Sequence, residues 1–158
     1  MTKEDIKEKN IENRIREIIK NSIICSRNDF TLLDNKDVTD IIICRNINIP
    51  KIFFIEVKYY TNKKGRIGFG NPDGSGFQPE VLRKTPKYFE NSFIWIFKKE
   101  NDDGYYVLNN NDCLNYISGG SIGEVGGKQN NFQVKLFDAI KPMSEDDFIK
   151  WIKDWLQK

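Results

Sequence analysis

The sequence predicts a mixed α/β chain of the α+β kind, in which helices cover a mixed sheet. Three observations lead there. Apolar residues recur at helical spacing near both ends of the chain. Between those ends lie short β-branched and aromatic runs, Ile41-Ile-Ile-Cys, Ile52-Phe-Phe-Ile and Phe93-Ile-Trp-Ile-Phe, each bounded by turn residues. The 158 residues are 39% hydrophobic and 13% aromatic, enough for one domain with a real core and too apolar for a disordered chain.

The elements follow in order. Residues 4–23 read as a helix, because Ile11, Ile15, Ile18 and Ile19 form one apolar stripe. Thr2 is the expected cap, and Glu4 and Asp5 favour the positive helix end. Ser26-Arg-Asn-Asp breaks it. Residues 30–33 read as a short strand and 34–37 as a turn. Residues 38–45 form a second strand, 46–50 a turn, and 51–60 a third strand. The last two strands are apolar on both faces, as central strands are. Residues 61–77 hold five of the 11 glycines and read as a long loop. Residues 78–90 suit a helix with Pro79 near its start and Pro86 dividing it. Strands are expected at 92–98 and 104–108, joined as a hairpin through Asn101-Asp-Asp-Gly. A short helix is expected at 112–118, a Gly-rich loop at 119–127, and a strand at 132–137. The final helix, 144–158, turns Phe148, Ile149, Ile152 and Leu156 inward and carries a Ser144/Asp147 capping-box pattern. The order is α-β-β-β-α-β-β-α-β-α, with no repeat and no linker.

Composition narrows the chemistry. Net charge is +2, from 25 basic and 23 acidic residues, so any basic surface must be local. The three cysteines, Cys25, Cys44 and Cys113, show no CxxC spacing, which argues against a disulfide framework or a zinc knuckle. There is no His, which excludes a Ser-His-Asp triad, a Cys-His dyad and the usual zinc ligand set. Hydrolytic chemistry would rest on Asp, Glu, Lys, Tyr or a hard metal ion. No apolar run approaches the ~20 residues of a membrane span. The charged N-terminus has no signal-peptide core, so the expected compartment is the cytoplasm and no membrane partner is expected.

Ionisable residues interrupt the apolar strands. Asp40 interrupts the second, and Glu56 and Lys58 the third. A charge there costs several kcal/mol unless it is paired or bound to a metal, roughly the cost of any poorly compensated buried ion. Alternation points Glu56 and Lys58 to one face, and Phe53, Ile55 and Val57 to the other. If the strands are hairpin neighbours, Asp40 lies beside Glu56. Two carboxylates and an ammonium then meet at one point. Mg²⁺ needs only one or two carboxylates, and the Val57 carbonyl could add a ligand. Such an ion polarises a phosphate oxygen and activates water, while Lys58 orients that water or neutralises developing charge. The alternative is a same-face ion pair without chemistry.

Asp40 followed by Glu56-Val57-Lys58, in apolar strands after an N-terminal helix, resembles the PD-(D/E)XK nuclease superfamily. Its restriction-endonuclease-like αβββαβ core matches residues 4 to about 98, with 99–158 as a C-terminal extension of hairpin and helix on one domain, 1–158. The Pro of the motif name is replaced by Thr39. The resemblance implies Asp40 and Glu56 as metal ligands and Lys58 as the catalytic lysine. It also implies a further carboxylate from the first helix, for which Glu12, at the edge of the Ile stripe, is favoured over Glu8. Gln78 and Glu80 are further candidates. The implied activity is Mg²⁺-dependent endonucleolytic hydrolysis of DNA, with Mn²⁺ as a substitute metal, of restriction or phage-defence type. Alternatives are junction-resolving, repair or transposon-end cleavage, a non-catalytic nucleic-acid-binding module, and a structural or immunity protein. A homodimer is expected for duplex cleavage.

Substrate contacts are expected where cations meet glycines or amides. Lys63, Lys64 and Arg66 follow the third strand and suit phosphate contact. Arg83, Lys84 and Lys87 would extend that face. Lys128, Gln129, Asn130 and Asn131 could read bases or track the backbone. Tyr59 and Tyr60 could stack on bases, although packing is the commoner use.

Overall fold

The computed structural model describes residues 1–23, 29–33, 39–46, 49–61, 91–113 and 137–158. Helix α1 (Lys3–Ser22) is followed by β1 (Phe30–Leu33), β2 (Ile41–Arg45), β3 (Lys51–Tyr60), β4 (Phe93–Lys99), β5 (Tyr106–Asn109) and helix α2 (Glu145–Gln157). The strands form one mixed sheet in the order β1-β2-β3-β4-β5. β1–β2, β2–β3 and β4–β5 pair antiparallel, and β3–β4 pair parallel. The chain is thus α+β with a mixed sheet.

Local chemistry sets the helix ends. At α1 the Thr2 hydroxyl accepts from the Asp5 N–H at 3.2 Å and the Asp5 carboxylate accepts from the Thr2 N–H at 2.6 Å. This reciprocal box satisfies amides that the helix itself leaves unpaired. At α2 the Ser144 hydroxyl accepts from the Asp147 N–H at 3.2 Å. The last turn of α2 has no basic residue. The β2–β3 hairpin supplies one instead: Arg45 donates to the Leu156 carbonyl at 3.0 Å, where a cation suits the negative helix end.

Both helices pack on one face of the sheet. Ile15, Ile18 and Ile19 of α1 and Phe148, Ile152, Trp155 and Leu156 of α2 meet Ile41, Ile43, Phe53, Ile55, Val57, Ile94 and Ile96. Trp155, absent from the expected inward set, joins it by helical spacing from Ile152, and its indole N–H donates to the Asn91 carbonyl at 2.7 Å. Ile149 is only half-buried. The opposite face carries Phe93, Trp95, Phe97, Tyr106, Leu108 and Cys113, with Phe54, Tyr60, Phe137 and Ile140 packed against them.

Several expected boundaries move. β2 begins at Ile41, not at residue 38, so Asp40 lies in a bend just before the strand. β5 begins at Tyr106, because the Tyr105 backbone bridges Met143 instead of β4. Phe137, expected in a strand, lies in a helical turn at 137–139 and packs its ring on Tyr60, Phe97 and Tyr106, at centroid distances of 5.1, 6.5 and 4.8 Å. It therefore lies on the sheet and not within it. A helical turn covers 110–113. The expected turn at 34–37, the helix at 78–90, the Gly-rich loops and residues 132–136 lie outside the described residues.

Candidate active site

Strand β3 brings the site together. The β2–β3 register pairs Ile41 with Ile55, and one more step places Asp40 opposite Glu56. A further step would pair Thr39 with Val57 through the backbone. The Asp40 side chain takes that place: its carboxylate accepts from the Val57 N–H at 2.7 Å. The next amide on the same edge, Tyr59 N–H, donates to the Glu8 carboxylate of α1 at 2.9 Å. Two acids thus complete the hydrogen bonding of β3 where β2 has ended, as buried backbone groups require.

Glu56 and Lys58 project from β3 onto the face away from α1 and α2. The Lys58 ammonium lies 2.8 Å from Glu56 Oε1. Both are almost wholly enclosed, Glu56 at 2% and Lys58 at 8% exposure. The parallel register sets Trp95 beside Glu56 and Phe97 beside Lys58, so an aromatic wall flanks the pair. Burial is the largest influence on Lys58 and pulls its pKa down, but Glu56, Glu8 and Asp40 together outweigh it and hold the ammonium above its ordinary value. Burial pushes Asp40 up, against the Val57 N–H and Lys58, which pull it down. Burial likewise raises Glu8, with Asp40 and Glu12 adding to the rise and Lys58 opposing it. These mutual effects show that the acids and the amine share one neighbourhood.

Of the expected site residues, Asp40, Glu56, Val57 and Lys58 converge on β3. Glu12 is buried on α1, where it pairs with Lys9 at 2.5 Å and sits close enough to raise Asp40 and Glu8. Glu8, the less favoured helix acid, makes the direct contact with β3. Tyr60 is a packing residue on Phe137, and the Tyr59 hydroxyl accepts from Lys7 at 3.3 Å. Gln78, Glu80, Arg83, Lys84, Lys87, Lys63, Lys64, Arg66, Lys128, Gln129, Asn130 and Asn131 lie outside the described residues. Arg16 escaped the sequence reading: its guanidinium donates to the Asp40 carbonyl. The available signal was spacing, since Glu8, Glu12 and Arg16 recur every fourth residue on one helix face.

Among the described residues no three His, Cys, Asp or Glu side chains form a metal-binding group. The oxygen donors present still fit a hard cation that keeps most of its waters, because one or two carboxylates suffice for Mg²⁺. In an extended strand the N–H and C=O of one residue share an edge, so the Val57 carbonyl points to the side where Asp40 and Glu8 bind. Among the described residues, no helix is long and apolar enough to cross a membrane. Comparison with protein-family models, with curated proteins and with solved structures found no match for this chain.

Proposed function

We infer that this chain is a Mg²⁺-dependent endonuclease that hydrolyses DNA phosphodiester bonds, of the PD-(D/E)XK type. One observation carries the reading: a buried Glu56–Lys58 pair on one strand face, with Asp40 bonded to the amide of the intervening Val57. The order α1-β1-β2-β3, with β4 added parallel to β3, supports it, because these are the elements of the αβββαβ core apart from its second helix, whose expected place at 78–90 lies outside the described residues. Asp40, Glu56 and the Val57 carbonyl would hold the Mg²⁺, which supplies Lewis acidity toward a phosphate oxygen. Lys58 stays protonated at neutral pH and offsets negative charge as it builds on the phosphoryl group. Glu56 fixes the direction of that ammonium, and the aromatic wall shields it from bulk water. A homodimer would provide two such sites for the two strands of a duplex.

Incubation with plasmid, branched DNA and RNA, in Mg²⁺ or in chelator, tests the reading and separates restriction-type from junction or repair activity. Cleavage is expected only with metal. Asp40→Ala and Lys58→Ala are each expected to lower it by about 100-fold or more while the circular dichroism spectrum is kept. Cleavage untouched by either substitution overturns the assignment. A second reading, a non-catalytic nucleic-acid-binding module, is favoured by the direct Lys58–Glu56 bond, which satisfies both charges without a metal. DNA bound but left intact in Mg²⁺ selects that reading.

A further inference from the structure

We propose that Glu8 and Arg16 are positioning residues, and that α1 is the splint that sets Asp40 against Lys58. This rests on the nuclease reading for its catalytic consequence, but its geometry stands apart from it. Glu8, Glu12 and Arg16 lie at successive four-residue steps, so they form one polar stripe beside the buried Ile15, Ile18 and Ile19. The two ends of that stripe grip different parts of the site. Glu8 accepts from the amide of Tyr59, the residue after Lys58. Arg16 donates to the backbone carbonyl of Asp40. Glu12 is buried between them and paired with Lys9.

The splint is needed because the sheet stops short. Past the Ile41–Ile55 pair no backbone ladder ties the Asp40 bend to β3. Across that gap a side chain makes the bond: the Asp40 carboxylate accepts from the Val57 N–H. A side-chain bond leaves the backbone of the bend free to swing. Arg16 removes that freedom by holding the carbonyl of the same residue, while Glu8 holds the strand two residues past Val57. Because both contacts come from one rigid helix, the helix sets the separation between the acid and the amine.

Amide hydrogen exchange at Val57 and Tyr59, read alongside steady-state cleavage, tests the proposal. Arg16→Met is expected to speed exchange at Val57 by about tenfold and leave Tyr59 unchanged, the loss of one charge-assisted hydrogen bond. Glu8→Ala is expected to do the reverse. Arg16→Lys and Glu8→Gln keep a donor and an acceptor, so each is expected to restore most of the protection. Arg14→Met, on the same helix but bonded to Glu145, is the control and is expected to change neither amide. In cleavage, Arg16→Met is expected to lower kcat with KM nearly unchanged, and Arg16→Lys to recover it. Unchanged exchange at Val57 in Arg16→Met overturns the splint. So does equal acceleration at both amides, which would mean general loosening. If the wild-type chain cleaves nothing, the nuclease reading fails while the exchange result still decides the splint.

Discussion

Lys58 is the residue on which the site turns. An amine this enclosed would ordinarily shed its proton, yet three acids around it reverse the direction. The same crowding strains the acids. A carboxyl whose pKa is higher in the folded chain than in the unfolded one binds its proton more tightly when folded. Its contribution to stability is full below the ordinary carboxylate range and is lost as pH rises through the folded value. Asp40 and Glu8 are both raised in this way. In metal-free buffer the urea midpoint of the wild type is therefore expected to fall, relative to that of the Asp40→Asn/Glu8→Gln variant, as pH rises above the ordinary carboxylate range. An identical pH profile for the two proteins would contradict the raised values. Asp40, Glu56 and Lys58 were legible in the sequence because charge inside an apolar run is costly and so stands out. Arg16 was not, since its role passes through a backbone carbonyl, and a carbonyl leaves no mark on residue type.

At the scale of elements, the hairpin between β4 and β5 shows how tightly the second half is joined. Asn101 adopts a positive φ of 60°, a conformation that Asn tolerates better than most residues. The Gly104 N–H donates to Asp102 Oδ1 at 2.7 Å, and Tyr105 exchanges backbone bonds of 2.8 and 2.9 Å with Met143. A methyl group at Gly104 would overlap the Pro142 ring and crowd Asp102 Oδ1. Gly104→Ala is expected to cost about 1–3 kcal/mol in urea unfolding, as overpacking does. A loss below a few tenths would show that the segment before α2 yields freely. The spans of the two terminal helices, the central strands and this hairpin followed from periodicity and turn residues. The start of β2 did not, because Thr39 and Asp40 are compatible with extended backbone and only the tertiary bond to Val57 explains why pairing stops. Phe137 misled for a related reason: an aromatic at the end of an alternating run reads as strand, and the aromatic cluster that receives it is assembled from β3, β4 and β5.

For the whole molecule, a cation bound only by the folded chain must stabilise it. Mg²⁺ at about 100 times its dissociation constant is expected to raise the thermal midpoint by roughly 5–10 °C, and chelator to reverse this. Asp40→Asn is expected to abolish the shift; a shift that survives would place the ion elsewhere. The sheet itself carries a further consequence. Among the described strands the one parallel pairing, β3 with β4, joins two local units, the β1-β2-β3 meander and the β4–β5 hairpin. Hairpins close over short loops, whereas Tyr60 and Phe93 are far apart along the chain, and distant closures are what slow folding. The seam is therefore expected to close late in assembly. A chain delayed there holds the acids and the amine on an open strand edge while Trp95 and Phe97 still face water, and such an edge recruits strands from other molecules. Aggregation during refolding is thus the hazard that this topology carries.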